Sequence, residues 1–272
     1  MAYGTGEAGK PVASILARAY RLGRMMDKTL YDLDAWQTDR HWWHVGRRRI
    51  LSKILARFLP GKDRNILEVG CGTGGNLAML SRFGRVEGIE AHGPGVAIAR
   101  ARNPGLSVRE GGLPDLLEKK YDTICLFDVL EHIDDDADAI AWIEHHLTPG
   151  GWAMLTVPAY QWLWTRHDEL SHHKRRYTRS SLISLLAKNF DVAYSTYFNT
   201  HLFLAILIVI LGGRLFGRDS GAIHATVASF GWTNAVLTNV FAAERMWLPT
   251  LSLPFGISIF VAARVKVKRS VI

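Results

Sequence analysis

Cysteine is scarce in this chain: Cys71 and Cys125 are the only two in 272 residues. One lies in a glycine-rich turn and the other in an apolar run. Neither reads as half of a disulfide framework or as part of a zinc site, so a reducing compartment is expected. The N-terminus carries Glu7 and Lys10 and has no apolar core before a cleavage site, so no secretory signal is expected. The apolar run Leu202–Leu211 (LFLAILIVIL) falls short of the roughly 20 residues that a bilayer span requires. Internal repeats and low-complexity tracts are absent. So are zinc-finger spacing, a helix-turn-helix pattern and an RNA-binding module signature.

What is present is a hydrophobic, basic chain. The 48% hydrophobic content suffices for one large domain, or a domain with an insertion. The net charge of +8 fits nucleic acid, an anionic membrane surface or an acidic substrate. Basic residues cluster at Arg47-Arg48-Arg49, at Lys174-Arg175-Arg176 with Arg179, and over 266–269. Any single cluster is equally a solvated face, and without an accompanying module nucleic acid is not an expected partner.

Residues 66–77 read ILEVGCGTGGNL. An apolar strand ends in an acid, a glycine-rich turn follows, and a helix begins. Glycine there permits positive φ and close approach of a ligand, and the helix start aims N–H groups at that ligand. Gly70, Gly72 and Gly75 satisfy G-x-G-x-x-G, and Glu90 follows at about 20 residues. A nicotinamide oxidoreductase would share all of this.

Helices are expected over 11–26 and 40–59. The first has an apolar face that could lie on a membrane or on the main domain. Strands are expected over 66–69, 85–90, 106–109, 121–127, 152–157, 190–198 and 256–267. Helices between them are expected over 75–83, 94–102, 134–147 and 178–188. Strands alternating with helices imply βαβ units and a parallel sheet. The stretch 199–254 is far longer than a sheet connection needs. It holds the apolar run and then 220–243, without Asp, Glu, Lys or Arg. Three readings stay open: two buried helices, a hairpin docked on a membrane with Arg214, Arg218, Arg245 and 266–269 meeting lipid phosphates, or a dimer interface.

Taken together, Glu68–Gly74, Glu90, Asp128–His132 (DVLEH) and 149–157 resemble the class I S-adenosylmethionine-dependent methyltransferases over about 28–198. Within them the chain is similar to the ubiquinone-biosynthesis O-methyltransferase-like branch and to relatives in glycan and lipid loci. The resemblance implies an α/β fold with a seven-stranded Rossmann-like sheet. It divides the chain into a helical lid over 1–60, a core over 61–198, a hydrophobic helical insertion over 199–254 and a last strand with a basic tail over 255–272.

It also implies site residues. Glu68 suits the ammonium of S-adenosylmethionine, and Gly70, Cys71, Gly72 and Gly74 form the turn beneath it. Glu90 suits the ribose hydroxyls, with Ala91 beside it; Gly112 and Leu113 suit the adenine. Asp128 and Val129 stand near the sulfonium. Arg47, with Arg48 as fallback, suits the methionine carboxylate, while Tyr31, Trp42 and Trp43 close over the cleft. His132, a candidate base or a packed junction histidine, comes next. In the roof block VPAYQWLWTRHDELSHHKRRYTR, candidate catalytic residues are His167, Asp168, His172 and Tyr177, accompanied by His173 and Arg176. Trp162 and Trp164 suit flat apolar walls. The block could carry metal ligands, but its spacing matches no strong zinc pattern, so no metal is assigned.

The expected activity is O-methylation of a hydrophobic, lipid-linked or glycan-carrier acceptor. Alternatives are N- or C-methylation of a small hydrophobic metabolite or peptide, a nucleic-acid methyltransferase, a membrane-associated scaffold without catalysis, and the oxidoreductase. The expected location is cytoplasmic, at the inner face of the cytoplasmic membrane if the insertion meets lipid. A homodimer would cover the same surface.

Overall fold

A computed structural model describes residues 35–115, 117–216 and 231–266. The helix expected over 11–26, Tyr31, Arg218 and the tail beyond Lys266 lie outside the described residues. Seven strands form one sheet: β1 (Arg64–Val69), β2 (Gly84–Glu90), β3 (Ser107–Glu110), β4 (Tyr121–Phe127), β5 (Leu147–Pro158), β6 (Phe190–Phe198) and β7 (Ser258–Val265). Their order is β3-β2-β1-β4-β5-β7-β6. β1 to β5 pair in parallel, while β7 runs antiparallel between β5 and β6. The chain winds outward from β1 on one side and from β4 on the other. That reversal opens a crevice at the carboxyl ends of β1 and β4, where such sheets receive ligands.

Helices among the described residues include α1 (Trp42–Phe58), α2 (Leu77–Leu80), α3 (Gly93–Arg102), α4 (Asp136–His146), α5 (Arg166–Leu170), α6 (Arg179–Leu186), α7 (Phe203–Leu215) and α8 (Gly231–Ala242). The period-2 strands send alternate residues to opposite faces. Ile66, Cys125, Met154 and Phe260 join Ile50, Ile54 and Leu55 of α1 and Leu80 of α2. Leu67, Ile124, Leu155 and Val261 join Ile140 and Ile143 of α4 and Leu182 of α6.

Two elements differ from expectation by more than two residues at an end. The helix expected over 75–83 shrinks to the four residues of α2. Asn76, at its N-cap, makes no capping bond, because its amide donates to the Glu68 carboxylate at 2.7 Å. β5 begins earlier than expected, pairing Leu147 with Tyr121, then shifting register and resuming at Trp152 with Thr123.

Among the described residues the insertion forms two helices, yet neither is buried all round. α8 packs on α1: Asn234 accepts from Trp42 N–H at 2.7 Å and donates to the Arg40 carbonyl at 2.7 Å, and Phe241 meets Trp42 edge-on at 5.8 Å. α7 buries Phe203 and Ile210 against Leu163. The opposite sides stay open, with Ile208 71% and Trp232 72% exposed. No helix among the described residues is long and apolar enough to cross a membrane. The buried carboxylate of Glu244 ties the insertion to β6, accepting from the N–H groups of Asn199 (2.7 Å), Thr200 (2.6 Å) and His201 (2.8 Å).

The α1–α8 contact depends on one glycine. A Cβ at Gly46 would stand 2.5 Å from Phe241 Cδ1. Alanine adds up to about 1 kcal/mol of helix propensity, whereas overpacking costs about 1–3 kcal/mol. Gly46→Ala is therefore expected to lower the midpoint of thermal denaturation; an unchanged or raised midpoint would mean that α8 does not seat on α1 this closely.

Candidate active site

The glycine turn leaves β1 with Gly70, Gly72 and Gly74 at φ of 66°, 54° and 77°. A Cβ on Gly70 would come within 2.6 Å of Val129 Cγ2, so this glycine lets the turn close against the loop after β4. A Cβ on Gly72 would meet nothing within 4 Å; its freedom keeps open a space that a ligand can enter. Cys71, buried beneath, donates its N–H to the Ile89 carbonyl at 3.0 Å. Burial raises its thiol pKa far above the ordinary value, so it offers no thiolate.

Glu90 ends β2 beside this turn. Its carboxylate accepts from Gly72 N–H at 2.9 Å and from His92 N–H at 3.1 Å. Ala91 follows, exposed, and a Cβ on Gly112 would lie 3.7 Å from the Ala91 Cβ. The loops after β2 and β3 thus form one wall, with Leu113 half-buried in it.

Four carboxyl groups and one guanidinium occupy the strand tips. Glu68 is buried; one oxygen accepts from Asn76 and the other, Oε2, has no partner. Burial raises its pKa to about 7. Asp128 turns the chain at φ 60° and accepts from Thr156 Oγ1 at 3.1 Å. Its second oxygen pairs with Arg47, whose guanidinium stacks over the Trp43 ring at 4.5 Å. Expected at the methionine carboxylate, Arg47 is thus already bound to the tip of β4 by a charge-assisted bond. Arg48 points elsewhere, with Nη1 close to where a Gly75 Cβ would be. Glu131 is buried in the turn after β4, with Oε2 unpartnered, and burial raises its pKa to about 8.

The roof is a set of imidazoles. His132 and His173 meet edge-on at 4.7 Å, and His167 lies 6.2 Å from His173. His44 of α1 is close enough to feel the charge of His167. Protein surrounds His132 and His167, yet both side chains are solvent-accessible, as befits the wall of an open cleft. Burial, reinforced by His173, lowers the His132 pKa to about 4. Burial lowers His44 and His167 as well, so these rings are neutral near pH 7.

Several expected roof residues do other work. Asp168 is fully buried and accepts from Thr165 N–H (2.8 Å), Thr165 Oγ1 (3.0 Å), His173 (2.9 Å) and Arg176 through Nε (2.7 Å) and Nη2 (2.8 Å). It orients His173 rather than His167 or His132. Tyr177 is buried and donates to Asp136 at 2.9 Å, so it supports the roof from behind. His172 is exposed at a turn with φ 56°. Trp162 is half-exposed and stacks at 5.6 Å on Tyr160. Glu131 and His44 were not singled out as site residues from the sequence, although Glu131 lies inside DVLEH, while His173 was expected in the roof. Ligand atoms of Glu131, His132 and His173 lie within 4.8 Å of one another. These three could hold a cation, although the sequence spacing suggested none.

Comparison with known proteins agrees with the crevice. A family model described as a methyltransferase domain matches residues 42–196. The chain is 35% identical over 107 residues to the dTDP-3-amino-3,6-dideoxy-alpha-D-glucopyranose N,N-dimethyltransferase of Streptomyces fradiae, covering 37% of this chain and 42% of that one. It is 31% identical over 108 residues to the ubiquinone biosynthesis O-methyltransferase of Paracidovorax citrulli, covering 36% and 45%. The chain thus spans less than half the length of these relatives. Among solved structures, phosphoethanolamine N-methyltransferase 2 of Haemonchus contortus, in complex with S-adenosyl-L-methionine, superposes with a TM-score of 0.56 at 15% identity, covering 95% of this chain and 60% of that one. The methyltransferase bound to the Trm112 activator of Haloferax volcanii gives 0.58 at 18% identity, covering 87% and 94%. At these identities the likeness establishes the fold.

The buried acid has a pH signature. The Glu68 pKa is about 7 in the fold against an ordinary 4.5. Its burial therefore costs nothing below pH 4.5, and the cost grows until pH 7. Glu68→Gln is expected to flatten that part of the ligand-free protein's stability loss between pH 5 and 7, by on the order of 3 kcal/mol. Urea denaturation at several pH values measures it; parallel curves for the two proteins would refute the assignment.

Proposed function

The chain belongs to the methyltransferase-domain family of S-adenosylmethionine-dependent proteins, and from that premise we propose that it methylates an amphipathic acceptor, with a hydroxyl oxygen as the receiving atom. The observation that carries the first half is the buried, unpartnered Glu68 Oε2 near the end of β1, the strand that leads into a glycine turn whose Gly72 leaves open space. A buried carboxylate without a partner is costly unless a donor arrives, and the cofactor's ammonium is such a donor. Glu90, tethered on Gly72, keeps carboxylate lone pairs for the ribose hydroxyls. Ala91, Gly112 and Leu113 offer the base a backbone and aliphatic wall. S-adenosylmethionine supplies an electrophilic methyl group on a positively charged sulfur.

The protein's remaining work is alignment, exclusion of water and proton removal. Asp128, fixed by Arg47 and Thr156, sets the charge at the tip of β4. His132 is the proposed base. With a pKa near 4 it is unprotonated at neutral pH, and a hydroxyl becomes a strong acid only as its oxygen gains the methyl group. A weak base suffices for that late proton. Apolar Trp162 and the open faces of α7 and α8 support an acceptor with a large hydrophobic part. The N,N-dimethyltransferase relative keeps an amine acceptor as the second reading.

Incubation of the protein with methyl-labelled S-adenosylmethionine and a total lipid extract tests the proposal. Label is expected in an organic-phase product whose methyl group is ether-linked. Label found only in water-soluble amines would overturn the acceptor, and no calorimetric binding of the cofactor would overturn the whole reading. Glu90→Ala is expected to weaken cofactor binding about 10- to 100-fold by calorimetry. His132→Ala is expected to lower kcat about 10²- to 10⁴-fold with cofactor affinity unchanged; full turnover by that variant would remove His132 from the mechanism.

A further inference from the structure

Between α1, α2 with the glycine turn before it, and the helical turn after α8 lies an open groove of about 670 Å³. Arg48, Arg49, Arg82 and Arg245 line it. Asp39 is the acid in its wall, and Asp39 is already paired with Arg102. Arg48 Nη1 is buried without a hydrogen-bond partner. Arg49, Arg82 and Arg245 are exposed and donate to neutral oxygens: Asn239 Oδ1 at 3.1 Å, Ser52 Oγ at 3.4 Å and the Ala242 carbonyl at 3.1 Å. Four guanidiniums thus share a groove with one committed carboxylate, an arrangement complementary to phosphate.

The groove borders an apolar face. At 100° per residue, Trp232, Val236, Asn239 and Val240 share one outward sector of α8, and Arg49 reaches that sector through Asn239. Met246 and Trp247, 70% and 49% exposed, continue it past Arg245. On α7, Leu204, Ile208, Leu211 and Leu215 form a second exposed stripe. No acidic residue stands between 202 and 216 or between 231 and 243.

We propose that the Arg48–Arg49–Arg82–Arg245 groove and the outward face of α8 are one docking surface for an anionic phospholipid bilayer. The guanidiniums take lipid phosphates, and Trp232, Val236, Val240, Met246 and Trp247 enter the boundary between headgroups and acyl chains. Charge and hydrophobicity side by side are what such a boundary selects. Tryptophan suits that depth, being apolar in body with one polar N–H. A free phosphate would fill the groove and leave the apolar sector bare. A second copy of the chain would set arginines against arginines across a two-fold contact. No helix among the described residues is long and apolar enough to cross a bilayer, so the surface is one that lies in the interface.

The test uses the whole protein and vesicles of phosphatidylcholine, with and without phosphatidylglycerol, in a flotation assay at low and high salt. Binding is expected on the phosphatidylglycerol vesicles alone and is expected to be lost at high salt. Arg49→Glu with Arg245→Glu, and separately Trp232→Ser with Val236→Ser, are each expected to weaken it by about tenfold or more. Thermal midpoint and S-adenosylmethionine affinity serve as the fold controls; Arg49→Gln with Arg245→Gln replaces the first pair if that pair unfolds. Equal binding to neutral vesicles would overturn the proposal. So would absence of binding combined with tight uptake of inorganic pyrophosphate, or with a dimer in light scattering that the Trp232→Ser pair dissociates.

Discussion

The ion pair between buried Arg47 and half-buried Asp128 is the contact on which the cleft depends. Around it lie Glu68, Glu90 and Glu131, so the pocket holds more acid than base within a chain of net charge +8. Burial disfavours the charged carboxylates and raises Glu68 to about 7 and Glu131 to about 8. The guanidinium opposes that rise at both sites. A pocket so composed favours a ligand that brings positive charge, and the methyl donor brings an ammonium and a sulfonium. Removing one partner of a buried pair leaves an uncompensated charge, so the lid helix and the strand tip are held by the same energy.

That pair also links the insertion to the chemistry. Arg47 of α1 faces Asp128, and its neighbour Gly46 faces Phe241 of α8. α8 in turn passes into the short helical turn that carries Glu244, whose carboxylate caps three consecutive N–H groups after β6. The insertion is therefore anchored at two points, on the lid helix and on the sheet, and both lie at the cleft end of the molecule. Arg214 adds a third contact from α7, donating to the Trp162 and Trp164 carbonyls at 2.7 and 2.9 Å. Whatever rests on the exposed faces of α7 and α8 presses on elements that hold the cleft.

Much of this arrangement was legible in the sequence. β4 and β6 fall at the expected boundaries because their apolar runs are bounded by polar or turn residues. The role of glycines 70, 72 and 74 was legible because positive φ and close approach leave a residue-level mark. The helix over 75–83 was overextended because local propensity cannot see that Asn76 is recruited by Glu68. The roof was the harder part. Asp168 reads as a partner for the adjacent histidine, yet its bonds run to Thr165, His173 and Arg176, which only the turn after α5 brings together. Tyr177 reads as a site hydroxyl, but its backbone pairs with Pro158 and Tyr160, and this turns the ring toward Asp136. His44 could not be placed at all, since its approach to His167 joins residues from distant parts of the chain. Apolar insertion helices read equally as buried or docked; only the packing shows that each covers the protein with one side.

Backbone strain points to the same end of the sheet. Asp128, Tyr160 and Asn199 adopt φ of 60°, 57° and 61°, and they follow β4, β5 and β6 in turn. A left-handed conformation at a non-glycine residue costs on the order of 1–3 kcal/mol and persists only where its surroundings over-determine it. Each has such surroundings. Arg47 and Thr156 hold Asp128. Tyr160 stacks on Tyr197 at 5.2 Å and donates its N–H to Tyr177 at 2.7 Å. Asn199 donates its N–H to Glu244, while both ends of its buried side-chain amide lack partners. Three strand ends on the same side of the sheet thus give up stability to turn the chain sharply. The turns carry the roof, the aromatic wall and the insertion over the crevice, where their shape serves binding rather than packing.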